Sequence, residues 1–189
     1  SQAFLPILAE TKANQNDIEV QLVINHIATK LLSVLMIITL VAVVAAPLVI
    51  FIFAWGFYFK ADSTQFHLAS DMLRITFPYL LLISLTALSG SILNTYDNFT
   101  VPAFTPVLLN ISLIFSAIFL SQFLNNPIMA LAWGVLIGGI LQLAFQIPFL
   151  RKIKKLPKLQ FGHHKTIDTL KKRMLPALFG VSVSQINLL

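Results

Sequence analysis

The amino-acid sequence predicts an all-α integral membrane protein, a polytopic helical bundle, and three observations support this fold class. Hydrophobic residues make up 57% of the 189 residues, and the mean hydropathy is +0.85. Charged residues make up only 11%, whereas ordinary soluble domains carry about 25%. The apolar residues also form long uncharged runs without the period-two alternation of barrel strands, so the spanning segments must be helices.

Four uncharged runs are long enough to be complete spans, because a membrane helix needs about 20 mostly apolar residues. Residues 1–30 are interpreted as the cytoplasmic end of a preceding helix with a connector, and residues 175–189 as the start of the next transmembrane helix. We therefore interpret the sequence as an internal piece of a longer membrane protein. The four predicted transmembrane helices cover about 31–59, 75–93, 102–124 and 128–150.

Prolines indicate where these helices begin or bend. Thr105 followed by Pro106 fits an N-cap with proline at the first helical position, so the third span is expected to become helical there. Pro47 and Pro78 lie inside the first two spans, where each removes a backbone hydrogen bond and is expected to kink its helix.

Basic residues predict the orientation in the membrane. Nine of the 13 lysine and arginine residues lie between Arg151 and Arg173, and the positive-inside rule places this block in the cytoplasm. Residues 151–174 are predicted to form a basic amphipathic linker on the inner membrane surface, where each basic residue near anionic lipids contributes about 1 kcal/mol. Two interpretations stay open: the block only sets the topology, or it is a connector that flexes between two halves.

The stretch LNTYDNFTVPAFTPVLLN, residues 93–110, interrupts two apolar runs on the cytoplasmic side. Asn94 and Asp97 can bond free backbone groups at the end of the preceding helix or in the turn. The stretch is interpreted either as a polar turn between two helices or as a shaped cytoplasmic gate.

A stripe of small and polar residues runs along the fourth span at intervals of four residues. Such residues mark faces that contact other helices rather than lipid. The stripe is interpreted either as plain helix packing with hydrogen bonds between helices, or as a packing face whose two glutamines face a water-filled cavity. Its members are Ala130, Gly134, Gly138, Gln142 and Gln146.

Polar side chains in or beside the spans are the candidates for a substrate path or a gate. Arg74 lies at the outer end of the second span, three residues after Asp71, with which it can pair on one helix face. It is interpreted either as a cation that reaches the membrane interface or as one that faces an anionic substrate path. The candidate set is Arg74, Asn94, Asn110, Gln142, Ser184 and Gln185.

Signatures of other function classes are absent from the sequence. It contains no glycine-rich phosphate loop, no HExxH, no GxSxG and no paired acids within a span. It has no cysteine, and His26 and His67 have no partners at metal-ligand spacing. We therefore expect no catalysis, no cofactor and no metal, and no nucleic-acid partner because nothing resembles a reading module.

Several segments resemble the MurJ (MviN) family of bacterial lipid II flippases. LSGSILNTYDNFTVPAFTPVLLNISLIF carries the strongest likeness, and SQAFLPILAE resembles the segment that closes the family's second membrane helix. LRITFPYLLLISL resembles its fourth helix and PALFGVSVSQINL its seventh. The resemblance covers nearly all of the sequence in the same order.

The resemblance implies a bilobed bundle of the multidrug/oligosaccharidyl-lipid/polysaccharide exporter type, in which this sequence forms most of the N-terminal lobe and the basic block links the lobes. It implies alternating-access transport of lipid II from the inner to the outer leaflet of the bacterial inner membrane, with cell-wall synthesis proteins as further candidate partners. The arginines that are essential in the family have no counterpart here. Two alternatives stay open: an exporter of drugs or polysaccharide lipids, and a non-transporting membrane scaffold.

Overall fold

The structure, a computed structural model, describes residues 4–14, 16–53 and 63–160, and in these residues every regular element is a helix. A short 3-10 turn at Leu120–Phe123 lies between the last two α-helices. The helices are α1 (Phe4–Asn14), α2 (Asp17–Val44), α3 (Ala46–Phe53), α4 (Ser63–Thr76), α5 (Pro78–Thr95), α6 (Thr100–Ile118) and α7 (Met129–Lys152).

Four helical segments are long and apolar enough to cross a membrane, which confirms the predicted all-α polytopic membrane fold. They carry many exposed large apolar side chains, such as Val41, Ile114 and Ile140, on faces that none of the other described helices covers. In water such a surface would be costly, whereas in lipid it is the expected exterior. The four segments are Asp17–Val44, Thr64–Thr95, Thr100–Ile118 and Met129–Lys152.

The first spanning helix begins at Asp17, well before the uncharged run that starts near residue 31. Asp17 and Glu19 lie in its first turn, where negative charge is favourable because the helix N-terminus carries a partial positive charge. Residues 17–30 are therefore the polar end of a helix rather than part of a connector, and Gln21, Asn25 and Thr29 on it form hydrogen bonds with the segment after α7.

Prolines interrupt two spanning segments as expected, but Pro106 does not start a helix. Helical geometry is interrupted at Ala45 and at Phe77, next to Pro47 and Pro78 respectively. In contrast, α6 already begins at Thr100 and contains Pro106 in its interior. The Thr105 N-cap prediction is therefore wrong, because one missing backbone bond does not end a helix that neighbouring helices support.

Helix α7 packs along α6 and α5, and α1 and α2 pack against α5. The apolar core lies at the end of the bundle that carries the basic residues after α7. This end also holds the turn between α5 and α6 and the junction of α1 with α2. The core side chains are Leu8, Val20, Val23, Ile24, Ala28, Leu88, Ile92, Leu93, Val101 and Leu150.

Candidate functional site

The small-residue half of the α7 stripe is a packing face against α6. A Cβ atom added at Gly134 would lie 3.0 Å from the Cβ atom of Ser116, and one added at Gly138 would lie 2.7 Å from Cδ1 of Leu109. The Ser112 hydroxyl donates a hydrogen bond to the Gly134 carbonyl oxygen at 2.7 Å. Glycine is therefore needed here because the two helix backbones approach closely.

The glutamine half of the stripe bonds to one threonine of α6. Gln142 Nε2 donates to the Thr105 carbonyl oxygen at 3.2 Å, and Gln146 Nε2 donates to Thr105 Oγ1 at 2.9 Å. The Thr105 hydroxyl itself donates to the Val101 carbonyl at 2.9 Å, so its oxygen can only accept from Gln146. Both amide groups are thus oriented with their nitrogens toward Thr105 and their oxygens away from it.

A cavity of about 210 Å³ lies among α5, α6 and α7, and we call it the polar pocket. Seven buried side-chain oxygens find no hydrogen-bond donor in the described residues, and four of them belong to residues of this pocket: Thr86, Asn94, Gln142 and Gln146. Unpaired buried acceptors are costly, about 1–3 kcal/mol each, so their concentration at one place indicates a site that a polar ligand or water can enter. The lining is Ile83, Thr86, Ala87, Gly90, Asn94, Pro102, Thr105, Pro106, Gln142 and Gln146.

A second polar assembly lies at the end of the bundle that carries the basic residues after α7, where the segment after α7 folds back onto α2. Helix α7 ends in a Schellman turn, with Lys154 in the left-handed region at φ 58° and the Lys155 N–H bonded to the Leu150 carbonyl at 3.0 Å. This turn directs the chain from Lys155 to Gln160 along α2. We call this segment, with the α2 residues that it contacts, the clasp.

The clasp uses side chains of α2 that recur every four residues and therefore lie on one helix face. Asn25 Oδ1 accepts from the backbone N–H of Lys158 at 2.8 Å, and Asn25 Nδ2 donates to Gln160 Oε1 at 3.2 Å. Thr29 Oγ1 accepts from the backbone N–H of Gln160 at 2.9 Å, and Gln21 Nε2 donates to the Leu156 carbonyl at 3.1 Å. The segment is thus held through its backbone, which an extended chain without helix or sheet partners requires.

Lys155 forms an ion pair in the clasp. Its side chain is only 3% exposed, and its Nζ lies 2.5 Å from Asp17 Oδ1 and 3.1 Å from the Asp17 carbonyl oxygen. Nζ of Lys155 lies 5.7 Å from the ring centroid of Tyr96, and Nζ of Lys12 lies 4.5 Å from the same centroid. Burial raises the pKa of Tyr96 above its ordinary value, although the Lys155 charge opposes this.

Comparison with known proteins assigns the family. The model of the family described as "Lipid II flippase MurJ" matches residues 1–189. The chain belongs to the MurJ family of lipid II flippases. It is similar to the lipid II flippase MurJ of Burkholderia cenocepacia, with 40% identity over 194 residues that cover 100% of this chain and 37% of the relative. The probable lipid II flippases MurJ of Haemophilus influenzae and Vibrio cholerae are each 42% identical over 195 residues, covering 100% of this chain and 38% and 37% of those proteins.

This MurJ-family chain therefore spans somewhat more than a third of the length of these curated relatives. The family and the four spanning helices identify it as part of a multi-pass protein of the bacterial inner membrane. The relatives are named as flippases, which are transporters rather than enzymes. Among the described residues, no group of three or more His, Asp or Glu side chains could hold a metal ion.

Two of the predicted site residues line the same pocket in the MurJ-family structure, two others lie away from it, and two lie outside the described residues. Asn94 and Gln142 both line the polar pocket. Arg74 lies about 30 Å along the same helical segment from Asn94, exposed and paired with Asp71 at 3.0 Å. Asn110 is exposed on α6 outside the pocket lining. Ser184 and Gln185 lie outside the described residues, as do most of the predicted linker and the predicted last helix.

Three polar residues of the pocket lining are absent from the predicted site set. Gln146 lies on the same four-residue stripe as Gln142, and this spacing was the signal that could have added it. Thr105 was read as a helix cap because proline follows it. Thr86 has no local signal, since a threonine inside an apolar span is compatible with either a lipid-facing or a buried position.

We expect the two partners of the clasp ion pair to respond unequally to substitution. Asp17→Ala removes the carboxylate from a buried cation and should destabilise the full-length protein by about 1–3 kcal/mol. Lys155→Met should cost about 0–1 kcal/mol, because Asp17 is 80% exposed and is solvated readily once alone. Thermal unfolding in detergent measures both. Equal losses of stability, or a larger loss for Lys155→Met, would contradict the explanation that the buried Lys155 charge needs the Asp17 carboxylate.

Proposed function

We propose that the full-length protein carries lipid II from the inner to the outer leaflet of the bacterial inner membrane by alternating access, and that this chain supplies most of one of its two lobes. The observation that carries the proposal is the match of the MurJ family model over the whole chain, together with 40–42% identity to curated flippases. The protein acts as a transporter and not as an enzyme, since moving a lipid between leaflets requires no covalent step.

The physical task suits a helical bundle with polar groups inside it. The pyrophosphate, sugars and peptide of lipid II cannot cross hydrocarbon unaided, because each unsatisfied polar group in lipid costs several kcal/mol. The polar pocket offers hydrogen-bonding groups among three membrane helices, while the exposed apolar faces of the same helices remain in contact with lipid. The lipid tail can then stay in the bilayer while the headgroup moves through the protein.

Within this proposal, Asn94 and Gln142 belong to the substrate path because they line the polar pocket. Arg74 and Asn110 remain predicted path or gate residues, although neither lines the polar pocket. Ser184 and Gln185 remain predictions that rest on their polarity alone. Membrane lipids are proposed partners of the basic residues after α7 other than the buried Lys155, and cell-wall synthesis proteins are proposed protein partners.

We expect depletion of the full-length protein in its own bacterium to reduce the lipid II that is exposed at the outer face of the inner membrane. Lipid II should accumulate on the cytoplasmic side, since its synthesis continues there. Exposure can be measured in spheroplasts with a lipid II-binding probe that does not cross the membrane. Re-expression of the full-length protein should restore exposure. Unchanged exposure in a strain without another flippase would instead favour an exporter of another substrate or a scaffold.

A further inference from the structure

The polar pocket has a chemical bias, because three of the four buried oxygens that it leaves unpaired are amide oxygens, which can only accept hydrogen bonds. Thr105 presents a carbonyl oxygen to Gln142 and an accepting hydroxyl oxygen to Gln146, so both glutamines must use their N–H groups on it. Their Oε1 atoms, and Oδ1 of Asn94, find no donor in the described residues. This hydrogen-bond network therefore fixes the orientation of the two glutamine amides.

The pocket is also poor in groups that attract an anion. Among the residues that the structure describes, its lining contains no lysine, arginine or histidine. Two of its lining residues, Pro102 and Pro106, have no backbone N–H to offer. A pyrophosphate needs cations or a cluster of N–H donors, and this lining does not supply them.

The size of the pocket limits what can enter. Its volume of about 210 Å³ lies below the range of about 300–1,000 Å³ for pockets that enclose a whole drug-sized ligand. It can hold one part of a large headgroup, such as a sugar ring or an amide. Gly90 contributes to the room, because a Cβ there would lie 3.3 Å from Cβ of Pro102.

We propose that the polar pocket binds neutral hydrogen-bond-donating groups of the transported headgroup, namely sugar hydroxyl or amide N–H groups, and does not bind its pyrophosphate. The inference rests on the proposed function and assigns a substrate part to this site. Gln142, Gln146 and Asn94 accept hydrogen bonds from these groups in place of the water that would otherwise satisfy them. The pyrophosphate is then bound by other residues of the full-length protein.

Binding of two lipids to the full-length protein in nanodiscs tests this assignment. Lipid II carries the sugars and the peptide, whereas undecaprenyl pyrophosphate carries only the tail and the pyrophosphate. We expect Gln142→Met to weaken lipid II binding about three- to tenfold and to leave binding of undecaprenyl pyrophosphate within about twofold of the wild type. Thr86→Val gives a second variant with little risk to folding, since the Thr86 hydroxyl makes no hydrogen bond in the described residues. It should shift lipid II binding in the same direction.

Gln122→Met is the matched control, because Gln122 is an exposed glutamine outside the pocket. It should change the affinity for neither lipid. Equal weakening of both lipids by Gln142→Met, or no change in either, would overturn the assignment of this pocket to neutral headgroup parts. A wild-type protein that does not bind lipid II at all would overturn the proposed function and the inference with it.

Discussion

Gly138→Val should lower the melting temperature of the full-length protein markedly, with a loss of about 1–3 kcal/mol in the free energy of unfolding. A Cβ atom at Gly138 would lie 2.7 Å from Cδ1 of Leu109 and 3.3 Å from its Cα atom. The side chain of Leu109 can rotate away, but its backbone cannot move unless α6 and α7 separate. Separation would also weaken the hydrogen bond from Ser112 to the Gly134 carbonyl.

The sign of the change in the free energy of unfolding distinguishes the effect of packing from the effect of helix propensity. Replacing a glycine inside a helix with alanine would by itself stabilise the helix by about 0.5–1 kcal/mol, and valine would do so by a smaller amount because it is β-branched. A net loss therefore measures the contact between α6 and α7. Ala144→Val is the control, because Ala144 is exposed on the same helix and should tolerate the added methyl groups. Melting of Gly138→Val at or above the wild-type temperature would contradict the packing account of the glycines.

The fold could be predicted from the sequence because the bilayer imposes strong rules. Uncharged runs of spanning length, short links and a basic block were enough to predict an all-helical membrane bundle. The start of α2 was not predictable in the same way, because hydropathy reports which residues suit lipid and not which residues are helical. Asp17, Gln21, Asn25 and Thr29 look like a polar connector along the sequence, whereas on a helix they share one face.

The site could be predicted only in part, because the α7 stripe has two roles along its length. Its spacing correctly indicated a face that contacts protein, and the open question was packing or cavity. The structure shows packing at Gly134 and Gly138, whereas Gln142 and Gln146 both form hydrogen bonds with Thr105 of α6 and line the polar pocket. Spacing along α7 could not locate this division. The division depends on the position of Thr105 of α6 relative to α7, and that position is set by how the two helices pack.

Asn25→Leu should release the clasp. The Asn25 side chain makes two of the hydrogen bonds that hold the segment after α7, one from the backbone N–H of Lys158 and one to Gln160 Oε1. At about 1 kcal/mol for each bond, the two together correspond to about a thirtyfold change in an opening equilibrium. We therefore expect hydrogen exchange of the Lys158 amide to become about thirtyfold faster in the full-length protein, measured by mass spectrometry on peptides that cover this segment.

Ser33→Ala is the control for this experiment. Ser33→Ala changes an exposed residue of α2 beyond the clasp and should leave the exchange of Lys158 unchanged. Faster exchange in Asn25→Leu alone would show that the first basic residues after α7 move with this bundle, so that they act as more than a topology signal. Unchanged exchange in both variants would contradict this, and would leave Lys155 and the apolar contact of Leu156 as the groups that hold the segment. In either case Lys155 is buried against Asp17, and it is therefore not among the basic residues that can reach lipid headgroups.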